Sequence, residues 1–163
     1  MLNSLETLNR VFEAGVAITA LSLFLRSLTF NLRDRVSRAF AVILACVMIS
    51  SAGEAISGSL DQSASLEFWL RFQWAGTIFL PAAYLHFSDA LLETTGRPSR
   101  GRRRLAVRSS YIISALLLFF LFAGVLFGVP VLNRQPVTHL ATTPISWLFT
   151  AFYAMIILLA LIT

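Results

Sequence analysis

Lysine is missing from this 163-residue sequence: all 13 of its basic side chains are arginine, set against 8 acidic ones. Charge of either sign is scarce, at 13% of residues, where soluble domains carry about 25%. A chain so poor in charge and 57% hydrophobic is neither disordered nor an ordinary soluble enzyme. Cysteine occurs once, as Cys46 within an apolar block. That excludes an intrachain disulfide and a disulfide-stapled secreted domain, and leaves a small buried side chain. Catalytic signatures are missing too: there is no Ser-centred nucleophile elbow, no HExxH, no Walker loop and no glycine-rich dinucleotide turn. No second His or Cys stands at ligand spacing from His86, so neither a metal nor another cofactor is expected.

What is present is apolar sequence in long blocks, with a mean hydropathy of +0.77. A helix of about 20 apolar residues crosses a hydrocarbon core about 30 Å thick. Five stretches meet that requirement: 11–30, 39–60, 68–92, 111–132 and 145–162. The expected fold is all-α, a single polytopic transmembrane bundle over residues 1–163. Glu13 and Arg26 interrupt the ends of the first stretch, where both reach the interface. A cleaved signal peptide is the rival reading of that stretch, but no small-residue cleavage site precedes Arg33.

The connections orient the bundle. Arg33, Arg35 and Arg38 follow the first stretch, and Arg97, Arg100, Arg102, Arg103, Arg104 and Arg108 follow the third. The second connection holds Asp61 and Glu67 with no base, and the fourth only Arg134. Arginine-rich loops stay in the cytoplasm, so the amino terminus is expected outside. Trp69, Trp74 and Trp147 fall toward the outer ends, as an aromatic belt requires. The run 97–108 serves as an orientation signal, with anionic headgroup contact as its second reading. The bilayer is the partner this implies; nucleic acid is not, because the arginines sit between spans.

Ionisable groups in hydrocarbon need partners. Counting helical rise puts Glu54 in the outer third of the second span, at the depth of Glu13 and Arg71. An ion pair between Glu54 and Arg71 is expected, against separate snorkelling to water. Around Glu54 the run Ser50-Ser51-Ala52-Gly53, with Ala55, Ser57 and Gly58, suits close helix packing or a small vestibule. In the third span Pro81 removes a donor and frees the Thr77 carbonyl, predicting a kink. His86 and Asp89, three apart, share a face as a hydrogen-bonded packing pair, or alternatively as a proton relay. Ser63 or Ser65 caps the third helix with Glu67 in its first turn, and Thr143-Pro144 starts the fifth.

The third span also carries a resemblance. Its string WLRFQWAGTIFLPAAYLHF, with Trp69, Arg71, Gln73, Gly76, Pro81, His86 and Phe87, looks like the N-terminal seven-helix membrane region of bacterial sensor histidine kinases. Related regions precede diguanylate cyclases. The resemblance covers essentially the whole chain as the first five helices; the sixth, the seventh and the catalytic half are not in it. It implies a sensory input module of the bacterial cytoplasmic membrane, a homodimer, and a covalently linked cytoplasmic effector beyond Thr163. The chain itself is then not an enzyme. An end at Ile162–Thr163 with no polar cap likewise suggests a fragment of a longer protein. The signal-coupling candidates are Glu54, Arg71, Gln73, Pro81, His86 and Asp89. A fragment of a small-solute permease is the alternative, since acids and a histidine on a kinked helix suit solute coupling.

Overall fold

The computed structural model describes residues 2–30, 34–57, 63–96, 101–131 and 139–162. The side chains of 2–6, 30, 63, 64, 129–131, 139 and 162 fall outside that description, as do Arg33, Gly58, Asp61, Arg97, Arg100 and Arg134. Five helices and one hairpin follow in order: α1 (Leu2–Phe30), α2 (Arg35–Ser57), α3 (Ser63–Thr94), α4 (Gly101–Phe122), β1 (Phe127–Val131), β2 (His139–Thr142) and α5 (Ser146–Ile162).

Segments Thr7–Thr29, Arg35–Ser57 and Gly101–Phe122 are long and apolar enough to cross a membrane. Their outward side chains, Phe12 and Ile18 on α1 and Ile112 and Phe119 on α4, are large, apolar and exposed. Water would penalise such a surface, whereas lipid solvates it. This is a membrane protein. The α5 helix is shorter, at 17 residues. In contrast, α3, the longest at 32 residues, is not among those three and forms the hub of the bundle. It packs on α2, α4, α5 and the hairpin, so neighbours rather than lipid cover Gln73, Thr77 and Ser88. The α1 helix packs chiefly on α2.

The expected fourth span, 111–132, is corrected in both directions. Helix α4 begins at Gly101, so residues 101–108 of the basic run are helical, and it stops at Phe122. Gly124 ends it with φ +74°, a left-handed turn that glycine adopts without steric cost. Beyond it Gly128 and Pro130 break helical bonding among β-branched valines, and the chain folds back as an antiparallel hairpin. An all-α description is therefore incomplete. Leu126, Phe127 and Leu140 of the hairpin bury against the core that Leu70, Leu121, Phe149 and Phe152 form.

The tryptophans divide. Trp147 is 76% exposed, as a belt residue should be. Trp74 instead packs inward, its ring 4.2 Å from Phe127 and 5.7 Å from Phe149. Thr143 does not cap α5; its hydroxyl donates to the carbonyls of Leu126 (2.6 Å) and Val125 (3.1 Å) and pins the hairpin to the end of α4.

Candidate functional site

Two polar clusters lie at opposite ends of the bundle, joined by the α2–α3 seam. The first occupies the end where α2 and α4 begin and α3 and α5 finish. Asp89 of α3 is fully buried, at 0% exposure. Arg35 donates to its Oδ2 at 2.7 Å, and Nε of Arg103 lies 3.3 Å from its Oδ1. Arg35 also pairs with Glu93 one turn further along α3. Arg103 donates to the Ser88 hydroxyl at 3.1 Å, which itself donates to the Ala160 carbonyl of α5 at 3.2 Å. One contiguous network thus ties four helices.

The charges in this network stand at the wrong helix ends for local stability. Arg35 and Arg103 open their helices, where a dipole favours anions; Asp89 and Glu93 close theirs, where it favours cations. Each is compensated only by a residue on another helix. Helix displacement therefore carries an electrostatic cost that rises with the loss of every pair.

At the opposite end the expected Glu54–Arg71 pair does not form. Arg71 turns along its own helix to Glu67, donating through Nε at 2.9 Å and Nη2 at 2.7 Å to the same oxygen. Its Nη1 donates to the Leu121 carbonyl in the last turn of α4. That is a charged C-cap, favourable against the negative end of the dipole. Glu54 accepts instead from Gln73 across the α2–α3 seam at 3.2 Å. Asn9 and Glu13 of α1 lie close to the same carboxyl. Rotation about each helix axis sends Glu54 and Arg71 to different neighbours at similar depth.

Between the two ends α2 and α3 run in close contact. A methyl group on Gly76 would stand 2.5 Å from the Cys46 carbonyl oxygen and 2.8 Å from Ser50 N. One on Gly53 would stand 2.8 Å from Gln73 Cα. The small run of α2 is therefore occupied by packing. Ser50 and Thr77 hydroxyls meet across the seam at 3.1 Å. Interhelical bonds of this kind contribute about 0.6 kcal/mol on average in membrane bundles. Thr77→Ala is accordingly expected to lower stability by about that amount, read from the unfolding midpoint in mixed micelles; a loss above roughly 2 kcal/mol would mean the hydroxyl does more than bridge two helices.

Pro81 sits inside a helix that continues on both sides of it. One turn before the proline, the Ile78 carbonyl accepts a hydrogen bond from Ser114 of α4 at 3.0 Å. Pro81 withdraws the helical donor from the Thr77 carbonyl, so this bond falls on the neighbouring carbonyl rather than on the freed one. His86 and Asp89 do not pair: His86 Nδ1 lies 3.3 Å from the Tyr111 hydroxyl of α4, while Asp89 is occupied by the two arginines. The shared face fails because three positions of helix rotate His86 toward α4 and leave Asp89 between α2 and α4. Among the described residues no three His, Cys, Asp or Glu side chains gather closely enough to hold a metal ion.

Sequence reading assigned Arg35 and Arg103 to topology alone and so missed their role. The signal that finds them is Asp89 itself. A carboxylate in an apolar helix demands a cation, and the arginines of the two adjoining helix starts are the nearest supply. Comparison of the chain with protein-family models, with curated proteins and with solved structures finds no match.

Proposed function

We propose that this chain is the sensory membrane part of a bacterial signal-transduction protein. Five helices span the cytoplasmic membrane with the amino terminus outside, and the output passes to a cytoplasmic kinase or cyclase beyond Thr163. In this reading the residues bind or feel a signal and catalyse nothing themselves. The observation that carries it is the network around Asp89, which joins α2, α3, α4 and α5 at the arginine-rich end. A ligand or bilayer property that favours one helix packing over another shifts the population of both. The network makes the four inner helix ends respond together, which is what a connected effector requires.

Orientation supports the same reading. The described arginines at this end, Arg26, Arg35, Arg38, Arg102, Arg103, Arg104 and Arg108, would face the cytoplasm. A single reactive cysteine tests it: Cys46→Ala with Arg104→Cys, labelled with a membrane-impermeant maleimide. The thiol is expected to react in inverted vesicles and stay unlabelled in intact cells; labelling of intact cells would reverse the topology and remove the proposed output side.

The function itself is tested by the coding sequence downstream of Thr163 and by signalling of the full-length protein. A kinase or cyclase domain there, whose output changes with Asp89→Asn, is the expected result. Further apolar spans with no soluble domain would transfer the chain to the permease class.

A further inference from the structure

A lateral groove of about 500 Å³ opens between α1, α2 and α3. Ala41, Ala45 and Ala75 give it small side chains, and Phe24, Phe72 and Phe79 give it aromatic rings. Every lining residue is apolar or glycine except one, Arg38, at the arginine-rich end of the bundle. The Arg38 side chain is exposed, and its guanidinium makes no hydrogen bond or ion pair among the described residues. Its neighbour Arg35, by contrast, is fully engaged by Asp89 and Glu93.

We infer that this groove is a binding site for a single anionic phospholipid of the leaflet at the arginine end, with one acyl chain in the groove and the headgroup phosphate on Arg38. Three features fit that ligand and no smaller one. Arg38 and Ile49, both in the lining, are separated by eleven positions of α2, about 16 Å of helix at 1.5 Å per residue. That is close to half of the roughly 30 Å hydrocarbon thickness, the depth of one leaflet. The charge is confined to the headgroup end: the apolar stem of Arg38 lines the groove, and its guanidinium, beyond the apolar walls, carries paired donors for phosphate oxygens. The walls elsewhere offer nothing polar for a solute to bond. Unlike the exposed ridges of α4 and α5, this surface is concave and lies against the α2–α3 seam that the glycines hold together. An ordered lipid there would brace α1, which otherwise leans chiefly on α2.

The site is tested by native mass spectrometry of the full chain in mild detergent, with phosphatidylglycerol or phosphatidylcholine of identical acyl chains added. One phosphatidylglycerol per chain is expected to survive, with a preference over phosphatidylcholine of about tenfold, because the choline ammonium of the latter offsets the phosphate charge that Arg38 attracts and leaves no net anion for it. Arg38→Ala removes the preference, Arg38→Lys keeps most of it, and Arg104→Ala leaves it unchanged. Ala45→Phe, or Ala75→Phe from the α3 side, blocks retention of both lipids while circular dichroism shows the helices intact. Equal retention of the two lipids overturns the inference, as does retention by both groove-filling variants. So does a lipid-free dimer that either phenylalanine splits, because a second copy then owns the groove.

Discussion

Asp89→Leu is expected to cost about 3–5 kcal/mol of bundle stability, the largest loss of any single change at the arginine end. The carboxylate is wholly buried and holds two guanidinium groups on two helices, so deleting it leaves both without their counter-charge. The two arginines will not suffer equally. The Arg35 side chain is 31% exposed and keeps Glu93, so it can turn toward water and headgroups. Arg103, at 16%, is more enclosed and loses its one carboxylate. For the buried carboxylate the order reverses: Arg35→Met should destabilise more than Arg103→Met, because Arg35 donates the 2.7 Å hydrogen bond to Asp89 while Arg103 Nε stands 3.3 Å from Oδ1 without one. Replacing Asp89, Arg35 and Arg103 together by leucine and methionine should recover most of the loss, since an apolar substitute avoids the desolvation cost of all three charges. Unfolding in mixed detergent micelles followed by circular dichroism supplies the measurement. A single Asp89→Leu variant within about 0.5 kcal/mol of the parent would show that the charges are solvated separately and that the four helix ends are not joined.

That contrast between a stable triple apolar variant and its signalling bears on function directly. If the network were retained for stability alone, the apolar replacement would preserve output in the full-length protein. On the sensory reading it should fold and yet lose its response, because packed leucines hold one arrangement where paired charges tolerate two.

The five helices are legible in the sequence because their apolar blocks are long and their connections polar; the ends of those helices are less so. Apolar content alone cannot distinguish Val125–Val131 from helix, and the hydrophobic count ran through the hairpin into 132. The information was present in Gly124, Gly128 and Pro130, which hydropathy ignores. Likewise the arginines 101–108 read as loop because they are charged, although nothing in Arg opposes helix formation. The site was legible as residue types and depths, not as partners. Glu54, Arg71, Gln73 and Asp89 all prove to bridge elements, but a depth along the axis gives no rotation about it. Glu54 and Arg71 share a level and point to different helices. Trp74 was misplaced for the same reason, since its level matches a headgroup belt while its ring faces Phe127.

The α2–α3 seam yields the second large effect. Gly76→Val should destabilise the bundle by about 3 kcal/mol, at the upper end of overpacking costs. The atoms its side chain would meet, the Cys46 carbonyl oxygen and Ser50 N, belong to the backbone of α2, so no rotamer change relieves the clash. The helices must separate, and separation also loosens the Ser50–Thr77 and Glu54–Gln73 bonds on either side of the glycine. Gly53→Val should act similarly against Gln73, and the two together should cost less than their sum, because helices already parted no longer clash at the second site. Gly15→Ala provides the control. Nothing lies within 4 Å of the added methyl group there, and alanine is the better helix former, so no stability is lost. Equal behaviour of Gly76 and Gly15 variants would mean that α2 and α3 do not cross in contact, and the route by which the cluster at Glu54 reaches the arginine end through a rigid helix pair would be lost with it.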